Sequence, residues 1–504
     1  MIQFAKWFID FFKENLKDIG IAIKNFFVGI YNLLIGNPIN YFKNFFTASR
    51  SFGFLDWVMA ILAIILVLAL YIGIIYLIVI LLRKYVRFVK KEKDKETLMH
   101  EAALLSEKVS NLIDEKNAVI ALSGPLAPGQ NNKRNGVNDS DVKKRFVKLC
   151  KVDEDYNFEI RQTVMGSEDL ITLKQMVERF INFAASQLHL YYNPHIVASF
   201  FAGMASSKTI ILEGISGTGK TSLPYAMGKF FKNDTHIISV QPSWRDRAEM
   251  MGYLNEFTKK FNETDFLKSV YETTYRTDIN LVVLDEMNLA RVEYYFADFL
   301  SLLEMPNPSE WQLDLVPDQL PGDPLHLQDG KILISQNIWF IGTANKDDST
   351  FTITDKVYDR AASIEMNTKA DVINAPLTNG ITMNFDYLNK LFTEAVTEYK
   401  ISDKSMEAIC KLDEFITEKF QVTFGNRIMK QIQIFVPVYK ACGGDELTGL
   451  DHIFARKILR KFESLNLPFL QQEIEELITL LEKMFGKQNF LQSKNMLHNY
   501  LKQI

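Results

Sequence analysis

The residues of this chain that can do chemistry sit in a few short stretches. Gly214-Ile215-Ser216-Gly217-Thr218-Gly219-Lys220-Thr221 fits the pattern G-x-x-x-x-G-K-[ST] in full. Glycines let the backbone curl so that its N–H groups face an anion. A helix opening at Ser222 adds its partial positive charge. In such a loop Lys220 reaches the β- and γ-phosphates of a nucleotide, and the Thr221 hydroxyl holds Mg²⁺. About 65 residues on, the apolar run Leu281-Val282-Val283-Leu284 ends in Asp285-Glu286. Asp285 suits Mg²⁺ through its water shell, and Glu286 suits a residue that orients and polarises an attacking water. A third run, Trp339 to Ala344, ends in Asn345, which is placed either to hydrogen-bond a γ-phosphate or to form an ordinary turn. Arg360, in Asp355-Lys356-Val357-Tyr358-Asp359-Arg360, is either an arginine finger for a neighbouring subunit or the partner of Asp355 or Asp359. Spacing does not choose between those two.

These residues need a scaffold, and the pattern around them supplies one. Thr209 to Leu212 reads as a strand, and Ser222 to Phe231 as a helix with Leu223, Met227 and Phe230 at helical spacing. Pro224 is tolerable there only because the first turn has no intrahelical partners for its amides. Helices over 170–191 and 194–204 precede this unit. After it come strand 236–240, helix 266–275, strand 280–284, helix 294–303, strand 338–343 and strand 362–366. Strands alternating with helices predict an α/β fold with a parallel sheet. Between Glu304 and Ile338, two short runs around Asp329-Gly330 predict a β-hairpin. From Phe385 onward the periodicity is helical, so residues 142–375 are expected as the α/β nucleotide-binding domain and 376–504 as a helical lid and C-terminal helices.

The N-terminal part has a different character. Residues 1–56 are amphipathic and rich in Phe, which suits helices lying in a membrane interface. Residues 57–82 hold no charged side chain, longer than the roughly 20 residues a helix needs to cross a bilayer. Arg83, Lys84, Arg87, Lys90, Lys91, Lys93 and Lys95 follow. The positive-inside rule then predicts a single-pass cell-membrane protein with its C-terminal side in the cytoplasm. Residues 83–123 read as a basic juxtamembrane segment and a short stalk helix, and 124–141 as a flexible linker. Net charge is −4 over 504 residues, so nothing global points to nucleic acid. The three cysteines, Cys150, Cys410 and Cys442, are scattered like reduced thiols.

The segments GISGTGKT (214–221), VQPSWRDRAEMMGYLN (240–255), LDEMNLARVEYYFADFLSLLE (284–304), IWFIGTANKDDSTFTITDKVYDRA (338–361) and FGNRIMKQI (424–432) resemble AAA+ ATPases of the McrB-like group, related to the MoxR and dynein-type branch. The likeness covers roughly residues 170 to 465. It implies an AAA+ P-loop core with a helical lid, ring assembly (commonly a hexamer) and nucleotide sites shared between subunits. It implies Gly214 to Ser222 as the nucleotide cradle, Thr221 and Asp285 as Mg²⁺ ligands, Glu286 as the water residue, Asn345 as sensor 1, Arg360 as the finger and Arg427 as a second sensor arginine. The 325–335 hairpin matches the insertion before sensor 1. ATP is the expected nucleotide and GTP the alternative, since the sequence at 343–348 departs from the GTP-hydrolysing McrB pattern. No nucleic-acid-recognition domain or nuclease motif accompanies the core. The expected function is therefore a membrane-anchored motor of a defence system driving a separate effector, or alternatively a MoxR-like remodeller of membrane-associated proteins.

Overall fold

The computed structural model describes residues 144–345 and 350–503, with scattered positions before residue 58. The interfacial helices, span, stalk and linker expected over 1–141 fall outside the described residues except for those scattered positions. Among the described residues, no helix is long and apolar enough to cross a membrane.

The expected α/β architecture is present. Five parallel strands, β1 (Thr209–Gly214), β2 (His236–Ser239), β5 (Asn280–Asp285), β9 (Ile338–Asn345) and β10 (Ala362–Glu365), form one sheet in the order β10-β1-β9-β5-β2. Two smaller sheets lie outside it, β3 (Gly252–Asn255) with β4 (Lys260–Glu263), and β6 (Gln312–Asp314) with β8 (Lys331–Leu333) and β7 (Leu327–Gln328). The first is a hairpin that strand periodicity did not announce; Phe257 at its tip is 99% exposed. The second contains the hairpin expected around Asp329-Gly330 and adds a third strand.

The three central strands are buried on both faces, as their unbroken apolar runs require. Alternate side chains go to opposite sides. Ile210, Leu212, Leu281, Val283, Trp339 and Ile341 face one core. Ile211, Val282, Leu284, Ile338 and Phe340 face the other. The first core takes in helices Leu173–Leu188, Pro194–Ser206 and Ser222–Phe230, and it continues through the helical C-terminal part to Tyr500. The second is covered by Asp265–Glu272, Val292–Tyr295 and Ala297–Leu302, together with the β6–β8 insertion.

Buried polar anchors fix the pieces around this sheet. Tyr271 and Tyr275 both donate their hydroxyls to Asp153 Oδ1 at 2.6 Å, pinning helix Lys148–Asp155 onto Asp265–Tyr275. Glu263 of β4 accepts the backbone N–H groups of Val147, Lys148 and Leu149, satisfying the open first turn of that helix with a carboxylate. Arg145 grips Asp323 in the insertion through Nε at 2.7 Å and Nη2 at 2.6 Å.

Candidate active site

The phosphate-loop sequence leaves β1 at its C-terminal end and enters helix Ser222–Phe230. Gly217 and Gly219 take φ of 79° and 91°, a region an L side chain enters only at a cost. Inside the loop, Thr218 Oγ1 donates to the Ile215 carbonyl at 2.9 Å and Ser222 Oγ to that of Gly219 at 3.0 Å. Lys220 is buried, and its Nζ donates to the carbonyls of Gly214 at 3.1 Å and Ile215 at 2.8 Å. Ile215 and Ser216 lie on the exposed outer curve. Pro224 falls in the first turn of its helix, where the missing amide costs nothing.

Sheet order explains how the other residues arrive. β9 lies between β1 and β5, with Gly214 level with Asn345 and Leu284 level with Gly342. The C-terminal ends of three adjacent strands therefore deliver the loop, Asn345 and Asp285-Glu286 to one edge. Thr221 Oγ1 donates to Asp285 Oδ1 at 2.8 Å. Thr343 Oγ1 donates to the same oxygen at 2.8 Å and accepts the Glu286 N–H at 2.9 Å. Asn345 Nδ2 donates to Glu286 Oε1 at 2.6 Å. Glu286 itself adopts φ 53°, an uncommon conformation for a non-glycine residue that turns its side chain off the strand line. Of the predicted residues, Gly214 to Ser222, Asp285, Glu286 and Asn345 thus come together.

Thr343 and Asn288 belong to this cluster as well, and sequence reasoning gave them no role. Asn288 Nδ2 donates to the Asn345 carbonyl at 2.7 Å and to Thr350 Oγ1 at 2.9 Å. Its own carbonyl accepts the Phe351 N–H at 2.8 Å. The available signal for Thr343 was its position, two residues before the polar end of a buried strand and on the same face as Asn345.

Arg360 and Arg427 lie elsewhere. Arg360 stands just before β10, whose Ala362 is level with Ile210. Its carbonyl accepts the Ser207 hydroxyl at 2.9 Å, beside the start of β1, and Thr209 to Gly214 spans about 16 Å at strand rise, so Arg360 sits at the end of the strand away from its own loop. Its partners are neither Asp355 nor Asp359. Nε pairs with Glu304 Oε2 at 3.3 Å and Nη1 donates to Ser301 at 3.1 Å. Arg427 pairs with the same carboxylate, Nε to Oε1 at 2.7 Å and Nη2 to Oε2 at 2.9 Å. The structure therefore brings Arg427 to Arg360 and not to the phosphate loop. A cavity of about 290 Å³ opens beside them, lined also by Lys208, Lys430 and Gln431. Burial pulls the Lys208 ammonium down to about 7; it lies 3.7 Å from the centre of the Trp339 ring.

The donor set fits a nucleotide with Mg²⁺. Thr221 and Asp285 are hard oxygen ligands, the kind Mg²⁺ takes alongside phosphate oxygens. Asn345 Oδ1 is buried without a hydrogen-bond partner among the described residues.

No protein-family profile matches the chain, and no curated protein matches it. Among solved structures it is similar to an ATPase candidate from Cytophaga hutchinsonii, at 14% identity. The alignment covers 58% of this chain and 84% of that one, with a TM-score of 0.37. A likeness that faint carries no inference about activity.

Proposed function

We propose that this chain is an AAA+ nucleoside triphosphatase that binds ATP with Mg²⁺ and hydrolyses it. The observation that carries this is the convergence of a curled phosphate-loop sequence, Asp285, Glu286 and Asn345 on one sheet edge through bonds of 2.6–2.9 Å. Bound nucleotide supplies the phosphoryl group and Mg²⁺ the charge that offsets its oxygens. Lys220, now on the loop carbonyls, would turn to the phosphates, and Thr221 and Asp285 would hold the metal. Asp285 stays oriented by Thr343. Glu286, aimed by its turned backbone and by Asn345, takes the proton of the attacking water.

Arg360 completes the site of a neighbouring subunit in this account. What favours that role is distance: the side chain is set far from its own loop and waits beside Arg427 on a single carboxylate. Ring assembly, a membrane anchor through 57–82, cytoplasmic exposure of the ATPase part and a McrB-like role driving an effector protein complete the proposal. They rest on the sequence segments that carry the family resemblance and on the uncharged run. The test is turnover of ATP and GTP by the full chain beside Glu286→Gln and Arg360→Ala. Glu286→Gln is expected to keep nucleotide binding while losing about 10²–10⁴-fold in turnover. Mixing it with Arg360→Ala is expected to restore part of the activity. Turnover by Glu286→Gln equal to wild type would remove Glu286 from the mechanism.

A further inference from the structure

We infer that the buried hydrogen bond between Tyr358 and Glu213 is a positioning device, one that ties the presentation of Arg360 to the phosphate loop of the same subunit. The inference rests on the shared-site proposal above and names the residues through which one site would influence the next.

Glu213 is the last side chain of β1 before Gly214 and is 1% exposed. Its backbone carbonyl accepts the Met366 N–H at 2.7 Å. Its side-chain Oε2 accepts the hydroxyl of Tyr358 at 2.7 Å, and Tyr358 lies two residues before Arg360. The opposite carboxylate oxygen is 3.5 Å from Arg456 Nη1, and Arg456 also binds Glu365 on β10. A carboxylate buried under the phosphate loop is costly unless fully paired. An apolar pair of similar volume would fill the same space with no such cost, so simple packing does not account for it.

The segment 358–361 is gripped from its other side too. Lys457 Nζ donates to the Tyr358 carbonyl at 2.6 Å and to that of Ala361. Arg460 lies over the Tyr358 ring at 3.0 Å from its centre, and Lys461 pairs with Asp359 at 3.1 Å. The backbone leading to Arg360 is thus held between β1 and the 456–461 segment. Among the described residues, the Tyr358 hydroxyl joins that segment directly to the side chain of the residue next to Gly214. Rearrangement of Gly214 when the loop fills moves Glu213 through the shared peptide, and the hydroxyl bond passes that movement to the segment carrying Arg360.

The test uses mixed assemblies of the full chain. Wild type is diluted into a large excess of a silent partner, so that nearly every active site borrows its arginine from that partner. Three partners are compared: Glu286→Gln, Glu286→Gln with Arg360→Ala, and Glu286→Gln with Tyr358→Phe. The residual turnover of each partner is measured alone and subtracted, so the remaining turnover per wild-type subunit reports only what the partner presents. Loss of a hydrogen bond to a charged group predicts a drop of about tenfold with Tyr358→Phe, relative to Glu286→Gln alone. The affinity of the Tyr358→Phe partner for a fluorescent ATP analogue is expected to match that of Glu286→Gln alone. A Glu286→Gln partner carrying Glu213→Gln, which keeps an oxygen facing Tyr358, is expected to behave like Glu286→Gln. If the Tyr358→Phe partner does not assemble, Glu213→Leu in the same background gives the same comparison. If the Arg360→Ala partner supports turnover as well as Glu286→Gln does, sites are not shared and the underlying proposal fails. If the Arg360→Ala partner suppresses turnover while Tyr358→Phe and Glu213→Leu do not, sites are shared and the positioning inference alone is overturned.

Discussion

Gly342 sits in the middle of β9, between the phosphate-loop strand and the strand that ends in Asp285-Glu286. A Cβ added there would stand 1.9 Å from Met287 Sδ, 2.6 Å from its Cε and 3.1 Å from its Cγ. Ordinary contact is about 3.5–4.0 Å, so the Met287 side chain must move by about 1.5 Å or more. It has little room: Met287 is 0% exposed, and its carbonyl accepts the hydroxyl of Tyr295, also 0% exposed, at 2.9 Å. Overpacking of this kind costs about 1–3 kcal/mol, and Gly342→Ala is expected to destabilise by that amount in denaturant unfolding. Because Met287 follows Glu286 directly, a shift of about 1 Å should lower turnover by up to about 10²-fold. Met287→Ala alone leaves a cavity and costs about 2–5 kcal/mol. The double variant puts a methyl where the methionine was, so it should be less destabilised than the sum by about 1 kcal/mol or more. Additive effects within about 0.3 kcal/mol, or a Gly342→Ala protein as stable and active as wild type, would refute the packing argument.

Two further outcomes follow from side chains outside the site. Burial would raise the Glu446 carboxyl, but hydrogen bonds from Lys440, Ser405 and Ser402 outweigh it and hold the group at about 2, below its usual 4.5. Because the folded value is depressed, Glu446 contributes stability that is fully present above pH about 4.5 and lost as pH falls toward 2. The contribution is up to about 3 kcal/mol, and unfolding measured across that window should lose this component in Glu446→Gln. Arg145 and Asp323 are both nearly buried, at 5% and 2% side-chain exposure. Arg145→Ala should therefore cost about 3–5 kcal/mol in denaturant unfolding by stranding Asp323, far more than the loss of an exposed pair such as Lys148–Asp265.

Much of the core was legible because its signals are local. The loop glycines, the apolar strands and their polar ends lie within short stretches, and parallel pairing converts those ends into one site. The sheet order was not legible, since no local feature says that β9 inserts between β1 and β5. That insertion is what lets Thr343 join Asp285 to Glu286, and why Thr343 was passed over. The helix expected over 294–303 divides at Phe296 into Val292–Tyr295 and Ala297–Leu302, a break invisible to apolar periodicity. The β3–β4 hairpin was missed because Asn255 to Lys260 carries no two-residue Asn-Gly or Asp-Gly turn between alternating runs. Arg427 was placed at the nucleotide by family resemblance. Its position depends on Glu304, more than a hundred residues away in sequence, and tertiary packing of that range leaves no trace in spacing.

The central claim is that the 214–222 loop, with Asp285, holds a nucleotide and its Mg²⁺. The most direct measurement is the affinity of the full chain for a fluorescent ATP analogue, with and without Mg²⁺, beside Lys220→Ala and Asp285→Asn. Wild type is expected to bind with Mg²⁺-dependent affinity. Lys220→Ala should weaken binding by about tenfold or more, from loss of a charge-assisted contact to phosphate, and Asp285→Asn should lose the Mg²⁺ dependence. Equal affinity for all three proteins, with or without Mg²⁺, would contradict the account.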